Sequence, residues 1–336
     1  MAEGRSALYL AAVDLGGTKI AAGLLSMQGE ILARVEEPTC QLGPQQGMAQ
    51  IVDLLTTLQT QTGLSSAQIL GIGIGIPAVL EAGSDHVIWG PNLTGWRDVG
   101  LRPTLENLLG IPVYVEYDGH TAVLAEMWQG AGRGYRSIAV VIIGTGIGGG
   151  LILDGQLYRG RDRLAGAVGW FAMTTDADLT DPAGQAIGHW ESLAAGPGIA
   201  KRAQALLEEY PHSSLNQPAR KEPLTAKQIF DAARDGDLLA RRVVEETSRL
   251  IGLGVANIVS MVNPEIVILG GSIGRQGDLL LPGVRAVVQS WAQPISARSV
   301  VITSSQLGAD AGLYGAAYIV INRTDSRDTM DGISVI

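Results

Sequence analysis

Residues 8–37 read as apolar runs separated by short polar breaks. "LYLAAVDL" is followed by "GGTK", then "AAGLLSM", then Gln28-Gly29, then "EILARVEEP". Apolar runs of this length with glycine-bearing breaks predict a β-meander. The period changes in residues 45–62, where Met48, Ile51, Leu54, Leu55 and Leu58 recur three or four apart and predict a helix. "ILGIGIGIP" (69–77) is a continuous apolar run with glycine at alternate positions. It predicts a buried strand, of the kind that passes close to a ligand. "IPVYVEYD" (111–118) predicts a strand that ends on a carboxylate, and "HTAVLAEMW" predicts the helix after it.

The order then starts again. Residues 137–158, with "IAVVIIGTGIGGGLILDGQLY", predict a second glycine-jointed hairpin. Helical spacing covers 199–209, 226–234 and 238–262, and three prolines in 211–224 predict a loop. "PEIVILGGSI" (264–273) reads as strand and turn, "SVVITSS" (299–305) as a strand, and "ADAGLYGAAYIVI" (309–321) as a helix. Residues 323–336 carry no period and are expected to form a mobile tail. Each half thus has a hairpin followed by alternating helices and strands, which predicts two α/β domains with a ligand cleft between them. The expected bounds are 1–120 and 121–308, with helix 309–321 returning to the first domain.

Composition narrows the function classes. In 336 residues, 46% hydrophobic and 17% charged, there is ample material for globular cores. The net charge is −9, and no basic block occurs, so no nucleic-acid partner is expected. Cys40 is the only cysteine, which excludes an internal disulfide and points to a reducing compartment. The start, "MAEGRSALYL", lacks the features of a signal peptide, and the most apolar stretch is interrupted by glycines where a membrane span would continue. A cytoplasmic location with no membrane partner is expected.

Three glycine turns follow apolar runs: Asp14-Leu15-Gly16-Gly17-Thr18-Lys19, then Gly144-Thr145-Gly146-Ile147-Gly148-Gly149-Gly150, then "LGGSI" at 269–273. Successive backbone N–H groups in such turns can form an anion nest. Any one of them reads equally well as a tight turn; three weaken that reading. Neither hairpin is the eight-residue phosphate loop or a clean dinucleotide fingerprint. Asp14 beside a phosphate nest suits a water-bridged Mg²⁺.

"DLGGTK", "GTGIGGG" and "VILGGSI" at these separations resemble the phosphate and adenosine motifs of the superfamily of sugar kinases, heat-shock ATPases and actin. "GIGIGIP", "PNLTGW", "VYVEYDGHTAVLAE" and "GTGIGGGLILDGQLYRG" resemble its ROK branch (repressors, uncharacterised reading frames and kinases). The resemblance spans about residues 8–321. It implies two actin-like (ribonuclease H-like) domains. It also implies transfer of the γ-phosphoryl of ATP, with Mg²⁺, to a hydroxyl of a sugar or polyol; a homodimer is expected. Asp118 matches the general base, which needs hydrogen-bond reach and the ionised state; its structural alternative is a helix cap. Asn92 and Glu191 match sugar-binding residues. Asp14, Gly16, Gly17, Thr18, Lys19, Thr145, Gly146, Gly196, Gly270 and Gly271 match nucleotide-binding positions. Trp89 and Trp96 are further candidates for stacking on a sugar, or for simple packing. The family's repressors carry an N-terminal helix-turn-helix, for which no room is expected before residue 14.

The departures fall on the acceptor side. Where family kinases read Gly-Glu-Ile/Val-Gly-His, this chain reads Gly166-Ala167-Val168-Gly169-Trp170. The Glu and His that hold sugar hydroxyls are absent, and so is the cysteine cluster of the family's zinc site. His189, Asp176, Asp178 and Asp181 stand in that region without tetrahedral spacing, so no zinc is expected. The family's Asn-Asp-Ala-Asn becomes Tyr117-Asp118-Gly119-His120. Trp170 is expected to meet the acceptor, and the acceptor to differ from plain glucose. A degenerate sugar or nucleotide sensor is the alternative function, and an actin-like assembly protein a third, opposed by "PNLTGW".

Overall fold

The computed structural model describes residues 8–90, 92–173, 182–216 and 222–330. Contacts divide the chain into two compact units: Met1–Arg133 with Leu157–Ala165 and Leu307–Ile336, and Gly134–Gln156 with Gly166–Gln306. The helix that carries Asp118 falls in the first unit, whose first segment runs to Arg133.

In the first unit, the meander is β1 (Tyr9–Leu15), β2 (Lys19–Ser26) and β3 (Ile31–Pro38). β4 (Ile69–Ile76) pairs parallel to β1. A small antiparallel sheet, β5 (Val79–Leu80), β6 (Val87–Trp89) and β7 (Arg97–Val99), precedes β8 (Val113–Tyr117). The main sheet has the order β3-β2-β1-β4-β8. Helix α1 (Pro44–Thr62) starts with proline in its first turn, ends on Gly63 in the left-handed region, and buries Met48, Ile51, Leu54, Leu55 and Leu58. These join Ile72, Ile74 and Ile76 of β4 in one core. Helix α2 (Leu101–Leu109) leads into β8, and α3 (Asp118–Gln129) follows it directly.

The second unit repeats the order. β9 (Ile138–Ile143), β10 (Ile147–Leu153), β11 (Gln156–Leu157), β12 (Ile266–Gly270) and β13 (Val301–Ser304) give β11-β10-β9-β12-β13. Its helices are α4 (Pro182–Ile187), α5 (His189–Ala194), α6 (Gly196–Leu206), α7 (Ala226–Arg234), α8 (Leu238–Val262), α9 (Gly271–Gly274), α10 (Gly277–Trp291) and α11 (Pro294–Ser299). A Thr225–Gln228 capping box starts α7 and the Asp237 carboxylate, accepting from Ala240 N–H at 2.9 Å, starts α8.

The last helix, α12 (Ala311–Met330), belongs to the first unit. It runs past the expected end at 321; of the expected mobile tail, 323–330 are helical and 331–336 lie outside the described residues. It also explains the glycines of β4. A Cβ on Gly73 would collide with the Ala316 carbonyl of α12, and one on Gly71 would lie 2.9 Å from Val320. One on Gly75 would crowd Thr121 of α3. These glycines admit two helices rather than a ligand, correcting the expectation from the sequence. Among the described residues no helix is long and apolar enough to cross a membrane.

Candidate active site

The β1–β2 turn is held by its carbonyl oxygens. Gly16 O accepts from Thr39 Oγ1 at 2.7 Å, Gly17 O from Gln41 Nε2 at 2.9 Å, and Thr18 O from Thr39 N–H at 3.0 Å. In a trans peptide the next N–H points opposite its carbonyl, so the N–H groups of Gly17, Thr18 and Lys19 all face away from these donors. N–H groups turned to one side in this way are what an anion nest requires. A Cβ on Gly17 would lie 2.7 Å from Asn92 O, so the backbone of Asn92 rests on this turn and its exposed side chain stands beside it. Thr18 and Lys19 are exposed, and Lys19 meets Glu36 at 3.3 Å.

Asp14 lies at the end of β1, against Gly312 at the start of α12, where a Cβ would collide with the Asp14 carboxylate. Burial raises the Asp14 carboxyl, and the Lys19 charge opposes that. Asp118 is the first residue of α3; Tyr117, not Asp118, is the N-cap, and no side chain caps the helix. The Asp118 carboxyl is pushed up to about 6, first by burial and then by the nearby Asp14 charge, against the N–H of Gly119 and the charge of His120. The first unit thus gathers the expected base, Asp14, the first glycine turn and Asn92. Trp96 is buried in the core, and Trp89 is partly exposed.

The second unit gathers the remaining turns. Gly144 N–H donates to Gly146 O at 2.9 Å, and Gly196 N–H to Gly144 O at 2.8 Å, which brings the start of α6 onto the β9–β10 turn. Gly271 has φ +78, and a Cβ there would collide with Ile143 O. The Ile273 side chain and the Gly144 carbonyl both lie within contact of a Cβ on Gly196. Thr145, Gly146, Gly196, Gly270 and Gly271 therefore lie in one place, with Thr145 exposed. Glu191 on α5 accepts from Ile147 N–H at 2.6 Å. Burial raises its carboxyl and that N–H opposes the shift. Gly169 packs on Glu191, and Gly188 on the backbone of Gly169 and Trp170, so Trp170 sits at the same edge as Glu191. The Trp170 side chain is outside the core, with the residue 56% exposed.

The sequence profile of the ROK family matches residues 10–323. The chain belongs to the ROK family. It is similar to the glucokinase of Halalkalibacterium halodurans, 32% identical over 321 residues that cover 94% of this chain and 96% of that protein. The glucokinase of Thermotoga maritima is 33% identical, with 94% and 98% covered. Among solved structures, the ROK family glucokinase from Streptomyces griseus in complex with glucose and AMPPNP superposes with a TM-score of 0.79 at 29% identity, covering 94% of this chain and 99% of that one. A ROK repressor is matched at lower identity: the xylose repressor of Caldicellulosiruptor bescii is 28% identical and is covered over 77% of its length. The fold of this ROK chain is the mixed α/β, actin-like, two-domain fold of the ROK kinases.

The structure adds residues that the sequence reading missed. Fully buried Glu116 accepts from Arg159 Nε at 2.7 Å, Arg163 Nη2 at 3.0 Å and His120 Nδ1 at 3.1 Å. Arg163 Nη1 also donates to Asp85 at 2.6 Å. Both Asp85 (φ 55) and Arg163 (φ 57) hold left-handed backbone conformations, which are costly for an arginine. No period or spacing in the sequence links these residues. Of the region expected to lack zinc, Asp176, Asp178 and Asp181 lie outside the described residues. His189 accepts from Met173 N–H through its Nδ1 at 3.0 Å.

Proposed function

We propose that this chain transfers the γ-phosphoryl of ATP to a hydroxyl of a sugar or related polyol whose recognised end is not that of plain glucose. The carrying observation is the Asp118 carboxyl. It stands at a strand-to-helix junction, beside Asp14 of the first glycine turn, and is held near the ionisation range useful to a base at neutral pH. The acceptor oxygen forms a bond to the γ-phosphorus, the bond from that phosphorus to the bridging oxygen breaks, ADP leaves, and Asp118 takes the hydroxyl proton. The nests at Gly16–Lys19, Gly144–Gly150 and Gly270–Gly271, together with Gly196, serve the phosphates and the nucleotide. Asp14 would hold Mg²⁺ through water: a half-buried carboxyl raised by burial, next to a second carboxyl, is the donor type that a divalent cation favours. When bound, Mg²⁺ neutralises phosphate charge. The glucokinase names of the relatives support the reaction class.

Asn92, Glu191 and Trp170 are assigned to the acceptor. Ala167 has no polar side-chain atom, and the exposed Trp170 offers an indole N–H and an apolar face. His120 and His189 are the natural replacements for the lost family contacts. The ring nitrogens of His120 and Nδ1 of His189 are already used within the fold. A buried sugar hydroxyl left without partners costs about 1–3 kcal/mol. Two such losses weaken glucose roughly 10²-fold. A glycoside, a deoxy or amino sugar, or a cyclic polyol is expected to be the better acceptor. A coupled ATP assay over glucose and such a panel tests this; glucose proving best by a wide margin overturns the changed acceptor. A lack of turnover with every acceptor tried, alongside ordinary sugar binding, favours the sensor reading, which the missing Glu and His support.

The purified chain is expected to hold no stoichiometric zinc, and its activity to require added Mg²⁺. Elemental analysis that finds one tightly bound zinc per chain contradicts this. A homodimer belongs to the same reading and is checked by light scattering.

A further inference from the structure

The buried groups nearest Asp118 that phosphoryl transfer leaves without a part belong to the Glu116 network. His120, on the first turn of α3, is fully buried. Its Nδ1 lies 3.1 Å from Glu116 Oε1 and its Nε2 lies 2.9 Å from the carbonyl oxygen of Ala165. A carbonyl can only accept. Glu116 can only accept as well: it is a buried carboxylate paired with Arg159 Nε at 2.7 Å and Arg163 Nη2 at 3.0 Å, two cations that keep it ionised. A neutral imidazole has one N–H and would turn a lone pair on one of these oxygens; only the imidazolium donates to both. The Tyr117 ring meets the imidazole edge-on at 5.3 Å and fixes its plane.

Ala165 is the residue before Gly166-Ala167-Val168-Gly169-Trp170. Its own N–H donates to Arg159 O at 3.0 Å, and Arg159 is bound to the same Glu116. The segment leading into the altered acceptor stretch is therefore tied at both Arg159 and Ala165 to a carboxylate two residues before the base. We propose that His120, as a doubly donating imidazolium, is a positioning residue that fixes the Ala165 end of the acceptor stretch and places a positive charge beside Asp118. This rests on the kinase reading above.

The charges around the imidazole are those of Glu116, Arg159 and Arg163 in contact across it, and of Asp118 on its own helix. Asp85 stands behind Arg163, and Arg323 of α12 adds a further positive charge to the cluster. Asp118 feels His120 as a charge that favours its ionised form. Removing that charge moves the base toward its protonated form.

Three measurements test the proposal. In the unmodified chain at neutral pH, nitrogen-15 NMR of the imidazole is expected to show two protonated ring nitrogens at His120; a neutral ring overturns it, and no variant is needed. In His120→Gln, amide exchange across residues 158–165 is expected to accelerate about 10-fold or more as the tie to Ala165 loosens; unchanged exchange in a folded variant overturns it. In the kinetics of that variant, the acidic limb of kcat/KM is expected to move up by roughly 0.5–1 pH unit. The acceptor KM is expected to rise roughly 10-fold, with the KM for ATP little changed. A merely structural role would lower both activity and stability without moving the limb, and that outcome also overturns it. If the unmodified chain turns over no acceptor, the kinase reading fails, and the NMR and exchange results still decide whether His120 holds Ala165 as an imidazolium.

Discussion

Asp118→Asn is expected to lower turnover by roughly 10²–10⁴-fold, the usual contribution of a general base, while the dissociation constant for ATP changes little. Asparagine keeps the shape and removes the basicity. The pH dependence follows from the same carboxyl. It acts only when ionised, so kcat/KM is expected to fall as pH drops through about 6, the value to which burial and Asp14 push it. Stability runs the other way. The folded-state value lies above the ordinary carboxylate value of 3.8, so the folded chain holds this proton more tightly than the unfolded chain does. The stabilisation this gives is complete below the unfolded value and is lost as pH rises through about 6. At neutral pH the ionised carboxyl therefore costs stability, and Asp118→Asn, which mimics the neutral acid, is expected to melt at the same temperature or higher. An inactive variant that is also strongly destabilised would mean that Asp118 supports the start of α3 rather than the chemistry. Near-normal turnover would remove it from the reaction.

Part of this was legible from spacing alone. Two hairpins with glycine joints, α1, α7 and α8 announce themselves, because apolar period and flanking breaks agree at each: Gly43 and Gly63 around α1, Thr225 and Asp237 before α7 and α8. α10 did not, since Pro282 and Gly283 interrupt its period; packing on α8, with Gly283 against Ser248, sustains it instead. The glycines of β4 carried a true signal of close approach, but the approaching groups are α12, from the far end of the chain, and Thr121 of α3. Asp118, the base proposed above, and the glycine turns stand out in the sequence because each lies in a short contiguous motif. The network around Glu116 was not. Asp85, Glu116, His120, Arg159 and Arg163 are brought together by tertiary folding, and no local pattern marks an arginine that will be buried in a left-handed turn.

Gly146→Val is expected to raise the dissociation constant for ATP at least about 10²-fold while the second unit stays folded. The reason is contact rather than backbone freedom, since Gly146 is not among the glycines with positive φ. A Cβ there would lie 2.7 Å from Glu191 Oε2 and 3.1 Å from Glu191 Cδ, so even alanine forces the carboxylate to move. That carboxylate accepts from Ile147 N–H at 2.6 Å, and the neighbouring bonds from Gly144 to Gly146 and from Gly196 to Gly144 fix the turn that α6 rests on. Displacing Glu191 breaks the first bond outright, and each buried hydrogen bond lost with its partner left unsatisfied costs about 1–3 kcal/mol. The strands on either side keep their pairing, because β9 and β10 are held along their length and by β12. Circular dichroism and a melting curve establish folding, and calorimetric titration with ATP or a non-hydrolysable analogue measures binding. Glu191→Gln separates the two effects: it keeps the size of the side chain but weakens the grip on Ile147, so it is expected to lose less ATP affinity than Gly146→Val. Should the valine variant fold and bind ATP with ordinary affinity, the β9–β10 turn does not hold the nucleotide, and the phosphate role falls to the turns at Gly16–Lys19 and Gly270–Gly271.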